Sequence, residues 1–409
     1  MRGCSRQEPP MNPGELKLDL FCRGVKVDPS CDLARDGRPI SRTRAGLGSG
    51  LEMILPDDLY VNVPVEEHFV RGTPYLLDRE DGAYVLKKSG VSLCPVQLPR
   101  RPRFYDRRTS SGKLMSQVGV LQGTYLAIYP TEVCHYWLGK TRQNCKFCST
   151  GLNIGTREAR KKSVQDVVET VKAARADEGI TFVHFNTGFY EGRALDVLEP
   201  YVAAVKREIG LLVGVQTPPC PDLKKYDRLA DMGVENVSFC FELWDTERFK
   251  EVCPGKHGTI GQERYFETIA YCVGKFNTVN GEIIAGLEHP ECSIEAINWM
   301  TGLGAVPTVC VFRPLVGTEY ERELSPQVED LRPVFRRLYE ACVENNLKIG
   351  IAPNIKVSLV LLPEEGKYFL EGRSVRFRLK EAQLSAIRPL FRTYFWLKML
   401  KYRVLPLRG

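Results

Sequence analysis

Short apolar runs alternate with longer amphipathic segments through the middle of the chain. The runs have the length and β-branched or aromatic content of strands: TYLAIYPTEV, ITFVHFNTG, LLVGVQTP, NVSFCFEL, VNGEIIAGLE and VPTVCVFRP. The segments between them have helical periodicity and cover residues 163–178, 193–209, 221–232, 261–275, 293–303 and 325–346. This alternation predicts an α/β fold with parallel strands and crossover helices. It favours a full or partial TIM-like barrel, with its chemistry at the carboxyl ends of the strands.

The regions on either side of this pattern differ from it. Residues 1–19 are rich in Pro, Gly and charge, and we expect them to be disordered. Residues 20–118 contain short apolar runs between turns, with Asp81-Gly82 as a hairpin signal, and predict a small β-rich N-terminal domain. The barrel is assigned to residues 119–350, and residues 351–409 form a C-terminal extension.

The net charge of +7 is modest and is concentrated at the end of the chain. Residues 373–409 carry ten Lys and Arg and one Glu, so the rest is near neutral and predicts no nucleic-acid partner. A basic aromatic helix is expected in this tail, with Pro389 breaking or starting it. The favoured role is a helix covering the barrel; peripheral membrane contact or docking of a protein partner are the alternatives.

The composition, 43% hydrophobic and 26% charged, predicts a globular protein. We find no apolar leader and no apolar run long enough to span a membrane. Fourteen cysteines without a leader predict a reducing, cytoplasmic location with free thiols or metal ligands.

Three of these cysteines lie in one polar stretch, VCHYWLGKTRQNCKFCST. Cys134 directly follows the first predicted barrel strand, and Cys145 and Cys148 lie on the next loop. Three thiolates can hold a cubane iron–sulfur cluster and leave the fourth iron open to a cofactor or substrate. A structural zinc site with His135 as the fourth ligand is an alternative. Packing as core cysteines is disfavoured by the charged and amide residues between them.

The other candidates are less specific. Four cysteines fall in apolar patterns and are interpreted as core residues: Cys240, Cys272, Cys310 and Cys342. Cys220 and Cys253 lie in Pro-containing loops near strand ends, where a reactive thiol or an auxiliary cluster is an alternative to packing. His184 is interpreted as a hydrogen-bonded core histidine.

A cysteine triad after the first strand of a β-α barrel, with an aromatic residue before the last cysteine, resembles the radical S-adenosylmethionine (SAM) superfamily. The final C-x-x-C is kept, whereas the first gap is ten residues long instead of the usual three. GEIIAGLE and VFRPLVGTEYE are similar to the fifth- and sixth-strand motifs of the biotin synthase and hydrogenase-maturase branch. VNVP and RPRFYD also resemble an uncharacterised radical SAM group encoded beside nitrilase genes.

The resemblance implies a 4Fe-4S cluster on Cys134, Cys145 and Cys148 and a SAM molecule beside it. It places seven further residues near SAM: Phe147, Thr187, Gly188, Glu242, Arg264, Ile284 and Gly286. Among these, Glu242 would contact the ribose or amino end of SAM and Arg264 its carboxylate. Ile284 and Gly286 would pack near the adenine. The family motif G-G-E is replaced here by NTGFYEG, so Thr187 and Gly188 depart from the usual pattern.

The activity implied is reductive cleavage of SAM to a 5′-deoxyadenosyl radical that abstracts hydrogen from a small-molecule or peptide substrate. It requires an electron donor such as flavodoxin or ferredoxin. The alternatives are methyl or aminocarboxypropyl transfer from SAM at the same cluster, and a non-enzymatic zinc-binding barrel.

Overall fold

The computed structural model describes residues 12–34, 41–42, 49–372 and 374–404. The described part opens with helix α1 (Pro13–Arg23), capped by the side chain of Asn12, which accepts from the backbone N–H of Gly14 at 3.0 Å. Leu18 and Leu20 on this helix are fully buried. The expected disorder of residues 1–19 is therefore wrong from residue 12 onward, because the helix buries an apolar face; residues 1–11 lie outside the described residues.

Two small sheets follow α1. Their strands are β1 (Lys26–Val27), β2 (Ser41–Arg42), β3 (Ser49–Leu55), β4 (Leu59–Val63), β5 (Tyr75–Glu80), β6 (Ala83–Lys88) and β7 (Val91–Pro95). One sheet has the order β1-β5-β6-β7 and the other β2-β3-β4. The predicted hairpin is present: β5 and β6 pair antiparallel across Asp81 and Gly82, which both have positive φ.

The main sheet has seven strands in the order β14-β13-β12-β11-β10-β9-β8. They are β8 (Val120–Gln122), β9 (Tyr125–Ile128), β10 (Phe182–Asn186), β11 (Leu212–Gln216), β12 (Asn236–Glu242), β13 (Thr278–Ala285) and β14 (Val306–Val311). Strands β9 to β14 are parallel, and β8 pairs antiparallel with β9 at one edge. The six predicted parallel strands are thus confirmed, in a half-barrel whose edge strands β8 and β14 are not paired with each other.

Helices connect these strands. They are α2 (Thr150–Asn153), α3 (Val164–Glu178), α4 (Ala194–Glu208), α5 (Lys224–Asp231), α6 (Thr246–Val252), α7 (Pro254–Thr259), α8 (Gln262–Cys272), α9 (Pro290–Leu303) and α10 (Val328–Glu344). Local signals explain several ends: Ser163 and Asp166 form a capping box before α3, and α9 ends at Gly304 in the left-handed region. The short helices α6 and α7 were not predicted.

The C-terminal extension returns beneath the sheet and ends in helix α11 (Val375–Val404). Pro389 lies inside this helix, so the prediction that it would break or start a helix is wrong. The helix continues through Pro389 because it is held on both sides: Arg388 Nε donates to the carbonyl of Ile349 at 3.2 Å, and Phe395 and Met399 are buried. Within the described residues, no helix combines the length and apolar character needed to cross a membrane.

Candidate active site

The three clustered cysteines line one cavity of about 120 Å³ at the carboxyl ends of the parallel strands. Cys134 follows β9, and its sulfur accepts a hydrogen bond from the backbone N–H of Phe189 at 3.2 Å. Cys145 and Cys148 form a tight turn, in which the N–H of Cys148 donates to the carbonyl of Cys145 at 3.0 Å. The Cys148 thiol donates to the hydroxyl of Thr150 at 3.2 Å. The loop between β9 and α2 thus brings Cys145 and Cys148 to the cavity that Cys134 lines.

The thiols share a cavity without converging on one point. Among the described residues, no three His, Cys, Asp or Glu side chains are grouped closely enough to hold a single metal ion. Ligands of a tetrahedral zinc lie about 2.3 Å from the metal, which would bring their sulfurs within about 4 Å of one another. Thiols spread around a cavity suit a group with several metal atoms, such as a cubane cluster.

The zinc alternative through His135 is contradicted by the position of that side chain. His135 does not line the cavity. Its Nδ1 lies 3.3 Å from a carboxylate oxygen of Glu191, and its ring packs against Tyr190 at a centroid distance of 4.5 Å. The backbone N–H of His135 donates to the carbonyl of Phe189 at 3.0 Å, which fixes the chain directly after Cys134.

The three thiols differ electrostatically. Burial raises the pKa of Cys134, and it raises the pKa of Cys148 to about 12. The pKa of Cys145 is lowered instead, because its sulfur accepts a hydrogen bond from the Cys253 thiol, an effect that outweighs burial. Cys253 comes from the loop between α6 and α7, whose neighbour Val252 accepts from the backbone N–H of Lys146 at 3.0 Å. A fourth thiol therefore lies beside the site.

An ion pair between Glu242 and Lys256 also lines the cavity. Glu242, the last residue of β12, lies at φ +67°, where the register with β13 shifts between Cys240 and Glu242. This bulge directs the Glu242 carboxylate to the Nζ of Lys256 on α7, 2.5 Å away. The same Nζ donates to the carbonyl of Cys240 at 2.7 Å. Burial lowers the pKa of Lys256, but the Glu242 carboxylate, together with Tyr265, Cys145 and Cys240, outweighs this effect and holds that pKa well above its ordinary value. A strained, non-glycine residue of this kind is typical of a functional site.

Lys256 was missed from the sequence. It lies in PGKHG, a segment without an apolar pattern, and only the proline after Cys253 indicated a new helix start. The signal was therefore weak, and the two short helices that carry Lys256 to the cavity were not predicted.

Three other predicted residues line the cavity. Phe147 is buried in its wall, and Thr187 and Gly188 follow β10 at its edge. The glycine is required by close approach, because a Cβ at Gly188 would overlap the Cβ of Cys134. The departure from the family motif G-G-E therefore still leaves a small residue where the chain passes the first cysteine.

Three predicted residues lie elsewhere. Arg264 on α8 donates to the carbonyls of Cys220 at 2.9 Å and Pro221 at 2.5 Å, so it fixes the loop between β11 and α5 and does not line the cavity. Ile284 is buried in β13 opposite Cys310. Gly286 has φ +99° and packs against Pro326. Arg264, Ile284 and Gly286 therefore do not line the cysteine cavity, and their contacts with SAM stay a prediction.

The cavity holds polar atoms that have no partner within the described part of the chain. They are Asn144 Oδ1, Asn186 Oδ1 and the hydroxyls of Tyr129 and Tyr265. Leaving such atoms unpaired costs about 1–3 kcal/mol each, so native structures rarely do it without a ligand or water. Soft thiols on one wall and unpaired polar atoms around them fit an iron–sulfur cluster with a polar cofactor beside it.

Comparison with known proteins gives distant relatives. No family model matches the chain. It is 20% identical over 197 residues to bacteriochlorophyllide c C-7(1)-hydroxylase from Chlorobaculum limnaeum, a match that covers 46% of this chain and 49% of that protein. The chain therefore spans about half the length of this curated relative.

Among solved structures, methylornithine synthase aligns with a TM-score of 0.43 and 18% identity, over 53% of this chain and 62% of that one. A radical SAM methyltransferase from Sphaerobacter thermophilus aligns with a TM-score of 0.41 and 15% identity, over 66% and 75%. SuiB from Streptococcus suis, bound to S-adenosylmethionine, aligns with a TM-score of 0.42 and 14% identity, over 55% and 48%.

Proposed function

We propose that this protein is a radical SAM enzyme. It would hold a 4Fe-4S cluster through Cys134, Cys145 and Cys148, bind SAM beside it and cleave SAM reductively to start hydrogen abstraction from a substrate. The observation that carries the proposal is the meeting of these three thiols in one cavity at the carboxyl ends of parallel strands. Active sites of barrels with parallel strands lie at this end.

When bound and reduced, the cluster supplies the electron that cleaves SAM to a 5′-deoxyadenosyl radical. The residues of the chain bind and orient the cluster and SAM, and they shield both from water. Phe147 and the stacked rings of Tyr136 and Phe189, whose centroids lie 4.4 Å apart, exclude water from the cysteine side. Gly188 lets the chain pass close to Cys134.

The charged wall suits the amino acid part of SAM. The Lys256 ammonium is placed to pair with its carboxylate, which is the role that the family resemblance implied for Arg264. The carboxylate of Glu242 is placed to accept from its ammonium or ribose hydroxyls. Because Lys256 and Glu242 already face each other across 2.5 Å, each holds the other in position before SAM arrives.

The remaining assignments belong to the same proposal. An electron donor of the flavodoxin or ferredoxin type would reduce the cluster, and a reducing, cytoplasmic location would keep the thiols free. The described cysteines are all unpaired, which agrees with that location.

The test is anaerobic purification and reconstitution, followed by iron analysis and chromatography of SAM products after dithionite is added. We expect close to four irons per chain and release of 5′-deoxyadenosine. Four irons with methylated or aminocarboxypropylated products would show the alternative use of SAM. One zinc per chain with intact SAM would overturn the proposal.

A further inference from the structure

A second cavity, of about 280 Å³, lies inside the half-barrel toward the amino ends of the strands. Strand side chains form its polar wall, among them Gln122, His184 and Glu282. The segment after α10 closes it from below with aliphatic side chains, and Phe395 of α11 completes this floor. The cavity is of the size that takes a small organic molecule.

Part of the polar wall is satisfied internally. The Glu282 carboxylate accepts from Gln216 Nε2 at 2.5 Å, from the Cys240 thiol at 3.2 Å and from the hydroxyl of Ser238. Burial raises the pKa of Glu282, while these donors oppose that rise. The carboxyl group thus has most of its acceptor sites occupied by protein.

Another part of the wall is unsatisfied. Gln122 and Asn186 are only 2% and 6% exposed, yet Gln122 Nε2 and Asn186 Oδ1 have no partner in the described chain. His184 Nε2 is buried and also without a partner, so the prediction of a hydrogen-bonded core histidine is wrong for this nitrogen. The hydroxyl of Tyr125 donates to Gln122 Oε1 at 2.6 Å, which leaves Nε2 as the free donor of that amide. The amide donor of Gln122, the amide acceptor of Asn186 and the imidazole nitrogen of His184 are therefore available to hydrogen-bond a bound molecule.

The two cavities adjoin. Asn186, the last residue of β10, and Gln216, the last residue of β11, line both of them. A molecule in the lower cavity would therefore end at the wall of the cysteine cavity, within the same half-barrel.

The charged residues that line the lower cavity limit the class of molecule that it can bind. Three carboxyl groups line the cavity. Glu235 is paired with Lys206 and Lys398, whereas burial raises the pKa of the other two, Glu282 and Glu364. An anion would be repelled by either in its ionised form. The lining cation Lys348 has its Nζ over the ring of Phe391, 4.6 Å from the centroid. His184 is neutral at pH 7, since burial lowers its pKa to about 4. The free amide atoms favour a partner that both accepts and donates hydrogen bonds.

We propose that this lower cavity binds the substrate, and that the substrate is an uncharged molecule with an amide- or hydroxyl-bearing end and an apolar body. The polar end meets Gln122, His184 and Asn186, and the body packs on the aliphatic floor. The role as substrate rests on the proposed function, whereas binding of this chemical class does not.

The test uses three probes of one shape on the full-length protein, without iron or SAM: uncharged benzamide, anionic benzoate and cationic benzamidine. Binding is followed by calorimetric titration. We expect benzamide to bind with a Kd of about 1 mM or tighter, and benzoate and benzamidine to bind about tenfold more weakly. Equal binding of all three, or no benzamide binding at about 10 mM, overturns the proposal.

Variants locate the probe. Gln122→Leu keeps the size of the side chain and removes the free amide, so benzamide should bind about fivefold more weakly. Gln165→Leu, on the exposed face of α3, is the matched control and should leave binding unchanged. Leu359→Phe, which fills the floor, is the second variant and should abolish binding if it retains the far-ultraviolet circular dichroism of the parent. Benzamide binding that neither variant weakens overturns the proposed site.

The substrate role is tested separately. In reconstituted enzyme, saturating benzamide should change the rate of 5′-deoxyadenosine release, and it should not do so in Leu359→Phe. Benzamide that binds in the cavity without changing this rate overturns the substrate role and leaves the radical SAM assignment intact. A protein that holds no iron but binds benzamide with the expected preference overturns the proposed function alone.

Discussion

The two cavities share Asn186 and Gln216 but are built in opposite ways. The cysteine cavity is made by loops that follow strand ends, and it carries thiols and an ion pair between Glu242 and Lys256. The lower cavity is made by side chains inside the strands and by a distant segment after α10, and its unpaired groups are uncharged amides and an imidazole. One half-barrel thus separates a cavity lined by thiols and an ion pair from a cavity whose unpaired polar groups are uncharged.

This difference explains why the cysteine cavity is suited to hold a cofactor and the lower cavity to bind a substrate. Loops can change length without moving the sheet, which is how a ten-residue gap between the first two cysteines is accommodated. Strand interiors cannot, because each inward side chain is fixed by the register of its neighbours. The thiols and the ion pair therefore lie on loops, which can adjust, whereas the strands fix the shape of the lower cavity.

The largest expected effect breaks the cysteine cavity alone. Cys145→Ala removes one thiolate, so cluster iron should be lost and SAM cleavage should fall by more than about a hundredfold, while the sheet stays folded. The measurement is iron per chain and 5′-deoxyadenosine after reconstitution, with circular dichroism for the fold. Cys342→Ala, a buried cysteine of α10 outside the cavity, is the control and should keep its iron. Full iron and full cleavage in Cys145→Ala would show that Cys145 is not a ligand.

The next largest effect is expected from the ion pair between Glu242 and Lys256. Lys256→Met leaves the Glu242 carboxylate buried without its cation, which should lower the free energy of unfolding by about 4 kcal/mol and raise the KM for SAM. Adding Glu242→Gln should restore most of the stability but not the KM. Denaturant unfolding and SAM titration distinguish the two effects.

The matched control for this pair is Lys275→Met, which removes an exposed ion pair with Asp227. Its unfolding midpoint should stay near that of the parent, because water and salt screen such pairs. If Lys256→Met also left the unfolding midpoint near that of the parent, the ion pair between Glu242 and Lys256 would not contribute to stability.

The sequence predicted what local signals determine. The six barrel strands follow from their apolar runs, and the β5–β6 hairpin follows from Asp81-Gly82, because these signals act within a few residues. The cysteines were identified for the same reason, since their spacing is itself the signal.

What the sequence could not predict depends on contacts between distant segments. Arg264 was assigned to SAM by its place in a motif, yet the carbonyls of Cys220 and Pro221 hold it. Lys256 reaches Glu242 only through two short helices without an apolar pattern. Pro389 is tolerated inside α11 because tertiary packing outweighs a local preference. The lower cavity has no motif, because its wall and floor are far apart in the chain.

The pH dependence of stability tests the lower cavity. The unfolded chain protonates His184 near pH 6.5, whereas the folded chain does so only near pH 4, because the imidazole is buried. Protonation therefore favours the unfolded chain, and this group should remove about 3 kcal/mol of stability as the pH falls from 6.5 to 4. Denaturant unfolding of His184→Gln should show a smaller loss over that window. His289→Gln, at an exposed position, should behave like the parent. Parallel curves for all three proteins would mean that His184 is accessible to protons in the folded state.

The smallest effect tests how tightly the cysteine cavity is shaped. A Cβ at Gly188 would overlap the Cβ of Cys134, so Gly188→Ala must move the chain that carries the first thiol and should cost about 2 kcal/mol. Gly302→Ala on α9 is the control: nothing lies within 4 Å of its added Cβ, and alanine favours the helix by about 1 kcal/mol. Because the displacement in Gly188→Ala acts on a thiol, iron should also leave this variant faster than it leaves Gly302→Ala when a chelator is added. Equal rates of iron release would mean that the loop carrying Cys134 adjusts freely to the added methyl group. The adjustable part of the molecule would then include the cysteine ligands as well as the loops between them.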